Sequence, residues 1–187
     1  SLTSVSFGAA AGSSSDFTMT RLVDAAANSF IVNAPATGNV VYNDISLANE
    51  ETITINSGAG TYEMDTLTGT DLTSLTLAGV GGIDIGSGTA ADSIVGATAL
   101  ATLDASGVTG NVDVIASSSL VDMTVTGPAA GIMDVTTGNG ADTVTTGTGN
   151  DIILTGVGAD TITSGSGNDT ITAGGHDDTI SAGAGDD

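Results

Sequence analysis

The chain has 187 residues and carries 22 acidic residues against a single basic one, Arg21, which gives a formal net charge of −21 at pH 7. This charge argues against nucleic acid and anionic membrane surfaces as direct partners, because both bind basic surfaces, and it favours cations instead. Aromatic residues make up 3% of the chain, glycine reaches 28 residues and cysteine is absent, which excludes a core of large side chains, a disulfide framework and thiol chemistry.

Residues 1–45 show little internal repetition, and we predict for them either a less regular N-terminal segment or a continuation of the structure that follows. Within them, the segment DFTMTRLVDAAANSF at 16–30 predicts a short helix or a cap on the end of a repeat structure. The chain starts SLTSVSFG without a methionine and stops within a repeat, so we interpret it as a piece of a longer protein.

Residues 46–136 contain a loose repeat that predicts an irregular β-helix. Three stretches, which begin at Leu72, Leu100 and Leu120, share a template: apolar residues three and five positions later, a glycine, and an acid flanked by apolar residues. The alternation around these acids is typical of short strands. The acids are Asp84, Asp113 and Asp134. Because the intervals between the copies are unequal, we expect coils with turns of variable length.

Two segments of this region, 57–67 and 86–95, are glycine-rich and lead to an acid, Asp65 or Asp92. They resemble the turns of the regular repeat described next, with extra residues before the acid. Asp65 and Asp92 are therefore candidate cation ligands, and the alternative is that they are ordinary surface acids in turns.

Residues 137–187 divide into nonapeptides without insertion: TGNGADTVT, TGTGNDIIL, TGVGADTIT, SGSGNDTIT, AGGHDDTIS and the partial copy AGAGDD. Position two is always Gly, position six is always Asp, position eight is Val or Ile, and position four is Gly except at His176. Self-similarity at a fixed period indicates a repeat architecture.

The residue types in these columns predict the local structure. Glycines at alternate positions permit positive φ angles and let several backbone carbonyls point to one side of a turn. The triplet around position eight predicts a short strand with its central side chain buried. Two nonapeptides then form one coil of 18 residues, and stacked coils form two parallel sheets with turns along both edges.

This stacking places the position-six aspartates in two columns. One column contains Asp142, Asp160 and Asp178, and the other contains Asp151, Asp169 and Asp187. Carboxylates about 4.8 Å apart repel by roughly 1 kcal/mol in water and by about 3–4 kcal/mol at an effective dielectric constant near 20. A hard divalent cation between them reverses the sign, and calcium accepts the about six to eight oxygen ligands that stacked turns offer.

Residues 137–187 resemble the repeats-in-toxin (RTX) family, whose nonapeptide G-G-x-G-x-D-x-U-x forms a calcium-bound parallel β-roll. The resemblance implies an all-β fold, a right-handed parallel β-helix or β-roll solenoid with calcium-binding turns. It also implies several calcium ions, each held between turn n and turn n+2 by position-six carboxylates and by backbone carbonyls of positions one to four. The implied sites lie between the turns of Asp142 and Asp160, Asp160 and Asp178, Asp151 and Asp169, and Asp169 and Asp187. The candidate metal ligands in these turns are Asp142, Asp151, Asp160, Asp169, Asp178, Asp187, Asn150, Asn168, Asp177, Asp186, Gly138, Gly140, Gly147, Gly149, Gly156, Gly158, Gly165, Gly167, Gly174 and Gly183.

Two departures from the family pattern matter for these sites. The first glycine of the motif is replaced in every copy, by Thr137, Thr146, Thr155, Ser164, Ala173 and Ala182. This change is tolerable if the turn uses only the carbonyl of that residue. His176 replaces a glycine, and we expect a strained turn or a weaker site there. The alternative for all these aspartates is a set of solvated turn carboxylates.

The RTX family is exported by type I secretion in Gram-negative bacteria, which implies a secreted, extracellular protein. The upstream part, with LTSLTLAG and LATLDASGVTG, is similar to the surface-layer (S-layer) proteins of stalked alphaproteobacteria, which assemble into a lattice over lipopolysaccharide. Our first hypothesis is therefore a calcium-dependent structural protein of the cell surface that self-assembles into a lattice or filament. Lipopolysaccharide is a candidate partner through regions outside this segment, and we expect neither nucleic-acid binding nor direct membrane insertion.

We predict no enzymatic activity, because the chain has one histidine and no cysteine or lysine, and it lacks the zinc-protease helix motif. One alternative function is a calcium-folded secretion or adhesion module of a larger toxin, enzyme or adhesin. A second alternative is an ice-binding solenoid. Its threonine ladder would contain Thr143, Thr145, Thr161, Thr163, Thr179 and Ser181 on one face, whereas Ile152 and Leu154 interrupt the ladder on the opposite face.

Overall fold

The computed structural model describes residues 4–6, 17–19, 28–34, 39–47, 49–86 and 93–187. Every regular element in these ranges is a β-strand, which confirms the predicted all-β class. In chain order the strands are β1 (Ser4–Ser6), β2 (Phe17–Met19), β3 (Ser29–Asn33), β4 (Val40–Leu47), β5 (Thr52–Ser57), β6 (Tyr62–Thr68), β7 (Ser74–Gly79), β8 (Ile83–Ile85), β9 (Ser93–Val95), β10 (Thr102–Val108), β11 (Val112–Ile115), β12 (Thr124–Thr126), β13 (Met133–Thr136), β14 (Thr143–Thr145), β15 (Ile152–Leu154), β16 (Thr161–Thr163), β17 (Thr170–Thr172) and β18 (Thr179–Ser181).

The strands form two parallel sheets that the chain visits alternately. Sheet 1 has the order β1-β3-β5-β7-β10-β12-β14-β16-β18. Sheet 2 has the order β2-β4-β6-β8-β11-β13-β15-β17, with β9 also paired to β6. Pairings such as β7 with β10 and β13 with β15 are parallel, so each passage through both sheets is one coil of a solenoid. This arrangement confirms the predicted parallel β-solenoid.

Inward side chains form an apolar column in each sheet, and burial of these columns drives the coils to stack. The column of sheet 1 contains Phe30, Ile53, Leu75, Leu103, Val125, Val144 and Ile162, and each of these side chains is at most 1% exposed. The column of sheet 2 contains Tyr42, Met64, Ile85, Val114, Val135 and Ile153. Only the upstream coils hold aromatic side chains, where Tyr42 and Tyr62 pack with ring centroids 5.6 Å apart.

Outward positions of sheet 1 form a column of hydroxyl side chains. It contains Ser29, Thr52, Ser74, Thr102, Thr124, Thr143, Thr161 and Thr179. The ladder predicted for the last three coils is present there, and the structure extends it upstream. On sheet 2, Ile152 and Leu154 are exposed, as expected.

The length of a coil follows from the hydrogen bonds between neighbouring coils. In the nonapeptide region these bonds join residues 18 positions apart, which confirms that two nonapeptides form one coil. Upstream, the corresponding separations vary between 19 and 29 residues, in agreement with the predicted turns of variable length. Pairing of β12 with β14 and of β13 with β15 carries both sheets across residue 137 without interruption.

The upstream template is partly correct. Asp84, Asp113 and Asp134 are aligned in register on β8, β11 and β13 as predicted. The equivalence of Leu120 with Leu72 and Leu100 is wrong, because Leu72 and Leu100 are fully buried whereas Leu120 is 60% exposed. Leu103 pairs with Val125, so the third copy is offset by a longer turn and Met123 enters the core instead.

Three further predictions concern the upstream chain. In the 16–30 segment, the described residues lie in β2 and at the start of β3, so a helix is wrong for them, while residues 20–27 lie outside the described part. Asp65 lies inside β6, which corrects the interpretation of 57–67 as a turn that ends at this acid. Arg21 and Asp92 lie outside the described residues.

The part of the chain that the structure describes contains no helix that could span a bilayer.

Candidate metal centre

The position-six aspartates line both turn edges of the nonapeptide region, each just before a strand. Asp142 and Asp160 precede β14 and β16 on one edge, and Asp151 and Asp169 precede β15 and β17 on the other. These four side chains are at most 4% exposed. On the final coil, Asp178 is half-buried and Asp187 is exposed. Burial of four carboxylates in two columns requires strong compensation.

One oxygen of each aspartate is held by the backbone of the neighbouring coil. Asp160 Oδ1 accepts a hydrogen bond from the Asp142 amide at 2.8 Å, and Asp169 Oδ1 accepts one from the Asp151 amide at 2.9 Å. The amides that donate to the Oδ1 atoms of Asp142, Asp151, Asp178 and Asp187 are those of Met123, Met133, Asp160 and Asp169, respectively. This ladder fixes every carboxylate directly next to its neighbour in the column.

The second oxygens fall into two kinds. Asp142 Oδ2 accepts from the Thr137 hydroxyl at 2.5 Å, and Asp151 Oδ2 accepts from the Thr146 hydroxyl at 2.5 Å. In contrast, Oδ2 of Asp160 and Oδ2 of Asp169 are buried and have no hydrogen-bond partner among the described residues. A buried carboxylate oxygen without a partner is costly, and a hard cation with a preference for oxygen would satisfy it. The residues present therefore fit calcium.

The glycines bring backbone oxygens to the same place. A methyl group on Gly158 would lie 1.6 Å from the Gly140 carbonyl oxygen, and one on Gly167 would lie 1.9 Å from the Gly149 oxygen. Gly156 and Gly174 both have a φ of 88°, which favours glycine. Carbonyl oxygens of one turn thus face the glycines of the next turn.

Among the described residues, no group of three or more histidine, cysteine, aspartate or glutamate side chains converges on a single point. The four turns that precede β14, β15, β16 and β17 instead offer one buried carboxylate each, together with stacked carbonyls. Asp160 and Asp169 would hold the cation through Oδ2, with carbonyl oxygens of the adjacent turns completing the coordination. Calcium would supply the positive charge that the columns lack.

The candidate ligands at position five lie on the outer rim of the turns. Asn150 Oδ1 accepts from the Asn168 amide at 2.8 Å, and Asn168 Oδ1 accepts from the Asp186 amide at 3.0 Å. Asp177 and Asp186 are exposed. These amide side chains satisfy the backbone of the next turn, so the buried oxygens belong to position six.

Sequence reasoning missed the upstream continuation of this rim. Asn111 Oδ1 accepts from the Ile132 amide at 3.1 Å, and Asp122 Oδ1 accepts from the Ala141 amide at 2.8 Å. The available signal was an Asn or Asp at the tip of each turn, a residue type that bonds readily to nearby backbone.

Burial raises the pKa of Asp142 above its ordinary value, and the hydrogen bonds from the Thr137 hydroxyl and the Met123 amide lower it in part. The neighbouring carboxylates Asp160 and Asp122 raise it again. Burial and neighbouring carboxylates thus already disfavour the ionised form of Asp142, the first aspartate of this column.

Comparison with known proteins agrees with this geometry. Residues 136–171 and 154–187 match the family model of the RTX calcium-binding nonapeptide repeat (4 copies). No curated protein and no solved structure matches the chain. The C-terminal part of this parallel β-solenoid is therefore a calcium-binding RTX module. Such repeats are typical of proteins secreted by Gram-negative bacteria.

His176 occupies a position that glycine fills in the other copies, and its φ is 89°, the one positive φ among the described non-glycine residues. We expect His176→Gly to raise the free energy of unfolding by about 0.5–1 kcal/mol, because it removes backbone strain but adds chain entropy to the unfolded state. Urea unfolding in excess calcium measures this change. His176→Ala keeps the strain and serves as the control. Equal stability of the Gly and Ala variants would show that the turn is unstrained.

A second acidic column runs up the outer face of sheet 2, outside the nonapeptides. It contains Glu63, Asp84, Asp113 and Asp134. Burial, together with repulsion from Asp134 and then Asp84, raises the pKa of Asp113 to about 6. Burial also raises the pKa of Asp134. An open cavity of about 490 Å³ lies beside this column and is lined in part by Thr61, Asn111 and Asp113.

Because Asp113 binds its proton more tightly in the folded state, its contribution to stability is present below pH about 4 and is lost as the pH rises through about 6. Asp113→Asn should therefore exceed the wild type in unfolding free energy by about 1 kcal/mol at pH 7, after allowance for partial exposure, and by nothing near pH 4. Denaturant unfolding in saturating calcium at both pH values tests this. Asp71→Asn, at an exposed turn, controls for the change in net charge. A pH-independent difference would contradict the assignment.

Proposed function

We propose that this chain is a calcium-dependent structural protein of the cell surface that folds outside the cell and self-assembles into an S-layer lattice. The observation that carries the proposal is the pair of buried oxygens, Oδ2 of Asp160 and Oδ2 of Asp169, without partners among the described residues. A fold that buries such oxygens depends on a cation, and a cation that binds the folded state stabilises it by mass action. Calcium is far more abundant outside cells than inside them.

The charge on the turn edges supports assembly. Asp122, Asp177 and Asp186 are exposed there, and the chain carries a net charge of −21. Two such edges repel each other at close range, and a divalent cation between them converts repulsion into attraction. We infer that buried calcium folds the solenoid and that calcium between exposed edges joins neighbouring solenoids.

The proposal includes no enzymatic role. His176 is exposed, and its Nδ1 lies 2.9 Å from the carbonyl oxygen of the adjacent Gly175. The buried acids repeat at a fixed interval of 18 residues, a spacing that suits a ladder of ions better than a single acid–base pair.

The test is a calcium titration of the purified chain that follows circular dichroism and particle size together, with magnesium at equal ionic strength as the control. A gain of β-structure followed by growth into sheets or filaments supports the proposal. Folding without growth overturns the lattice and favours the alternative, a calcium-folded secretion or adhesion module of a larger toxin, enzyme or adhesin. No response to calcium overturns both.

One observation favours a second candidate, an ice-binding solenoid: the outward column of sheet 1 carries hydroxyl groups on eight strands, from Ser29 to Thr179. Thermal hysteresis of the folded protein tests it. Thr143→Leu and Thr161→Leu, on the middle of this column, should abolish any hysteresis. Thr170→Leu, on sheet 2, is the matched control and should leave it unchanged.

A further inference from the structure

The first turn of each aspartate column is closed by a threonine hydroxyl. Thr137 Oγ1 lies 2.5 Å from Asp142 Oδ2 and 3.0 Å from the Thr155 carbonyl oxygen. Thr146 Oγ1 lies 2.5 Å from Asp151 Oδ2 and 2.9 Å from the Ser164 carbonyl oxygen. Each hydroxyl thus sits between a carboxylate and a carbonyl, two of the oxygen types that calcium gathers.

The next coil is different although its sequence is similar. The hydroxyls of Thr155 and Ser164 donate only to carbonyl oxygens, those of Ala173 at 3.0 Å and Ala182 at 2.7 Å. The carboxylates of the same turns, Asp160 and Asp169, keep a buried Oδ2 without a partner among the described residues. Between one coil and the next, the Oδ2 atoms therefore change from accepting a hydroxyl hydrogen bond to having no partner among the described residues.

The position of the turns of Asp142 and Asp151 in the solenoid explains why their carboxylates accept a threonine hydroxyl. Asp142 and Asp151 take their Oδ1 hydrogen bonds from Met123 and Met133, at the ends of turns that lack the Gly-x-Gly-x-Asp pattern. Asp142 and Asp151 are thus the first position-six aspartates of their columns, and no such aspartate precedes them with which to share an ion. The hydroxyl supplies the missing partner there.

The nonapeptides begin at residue 137, and we call this position the junction. The coils on its two sides also differ in their cores. Upstream, apolar side chains such as Leu103 and Val114 are fully buried. On the last coil, Ile180 is 50% exposed. The upstream part has an apolar core sufficient for its coils, whereas the last coils depend on their turns.

We propose that Thr137 and Thr146 replace calcium at the junction, so that the solenoid up to β15 folds without the ion and serves as a template on which the calcium-dependent coils assemble. This inference rests on calcium binding by the nonapeptides. According to this inference, the two hydroxyls mark the boundary between the coils that fold without calcium and the coils that need it. Folding with calcium then proceeds from the junction towards residue 187.

Hydrogen exchange of the full chain, with EDTA and with calcium, tests the proposal. In EDTA the amides of β7, β11 and β13 should stay protected, while those of β16, β17 and β18 exchange at least about tenfold faster than with calcium. Thr137→Val with Thr146→Val should extend the fast region to β14 and β15 in EDTA, and calcium should restore their protection. Thr155→Val, whose hydroxyl contacts no carboxylate, is the matched control and should leave β14 and β15 unchanged.

Two outcomes overturn the proposal. Uniform exchange along the whole chain in EDTA removes the template, and unchanged protection of β14 and β15 in the double Val variant removes the role of the hydroxyls. If the double Val variant fails to fold in calcium, Thr137→Ser with Thr146→Ser, which keeps both hydroxyls, must restore the wild-type boundary; a shifted boundary also overturns the proposal. Isothermal calorimetry separates these results from a failure of the proposed function, in which no variant binds calcium.

Discussion

Asp160→Asn is expected to abolish most of the stabilisation that calcium confers, while it leaves the calcium-free protein as stable as the wild type or more stable. The substitution keeps an oxygen to accept the hydrogen bond from the Asp142 amide. It removes the negative charge of the orphan Oδ2, which repels the column in the absence of the ion and binds the ion in its presence. The variant should therefore be at least as stable as the wild type in EDTA and less stable than the wild type in calcium.

The size of this effect follows from linkage. At a free calcium concentration one hundred times the dissociation constant, each bound ion contributes about 2.7 kcal/mol, and Asp160 belongs to two of the implied sites. Asp169→Asn should behave in the same way on the opposite edge. Urea unfolding with EDTA and with calcium measures both free energies.

Asp122→Asn is the matched control for this prediction. Asp122 lies on the same edge and also accepts a backbone amide through Oδ1, but its side chain is exposed. Its loss should change the calcium-dependent stabilisation by less than about 0.5 kcal/mol. If Asp122→Asn and Asp160→Asn prove equally harmful in calcium, net charge rather than the buried oxygen governs binding.

Gly158→Ala is expected to lower the free energy of unfolding by more than about 4 kcal/mol, or to unfold the coils that follow it. The added methyl group would lie 1.6 Å from the carbonyl oxygen of Gly140 and 2.5 Å from its carbonyl carbon. Both atoms are backbone, and they belong to a coil fixed on both sides by sheet hydrogen bonds. No rotamer change relieves such an overlap, so the two turns must separate.

The control for Gly158 lies on the same edge, one coil later. A methyl group on Gly175 would meet no atom within 4 Å, and its φ is not among the positive values. Gly175→Ala should change the stability by no more than about 0.5 kcal/mol. Urea unfolding of the two alanine variants in saturating calcium compares them directly. A similar loss in both would mean that chain flexibility, and not close packing of turns, selects glycine here.

The regular part of the fold was predictable because its period is invariant. Six copies with Gly at position two and Asp at position six fix both the strand positions and the 18-residue coil. Upstream, coil length varies with each turn, so the template of apolar positions aligned Leu120 with residues that it does not resemble in burial. A template of apolar positions fixes the existence of strands but not the length of the turns between them.

Within the site, sequence identified the position-six aspartates but not the difference among them. Thr137 and Thr155 are the same residue type at the same repeat position, yet only the first contacts the carboxylate of its own turn. That difference depends on contacts between neighbouring coils, which the repeat pattern of the sequence does not contain. The extension of the hydroxyl column to Ser29 was hidden for the same reason, because its register depends on the variable turns.

The amide-to-carboxylate bonds between coils, which join residues 18 positions apart, have a mechanical consequence. Each coil is bonded only to its two neighbours, so a pulling force on the chain end acts on one coil at a time. Each rupture would release 18 residues, or roughly 60 Å of extended chain. Under tension the nonapeptide region would therefore lengthen in a series of equal steps and absorb mechanical work at each one.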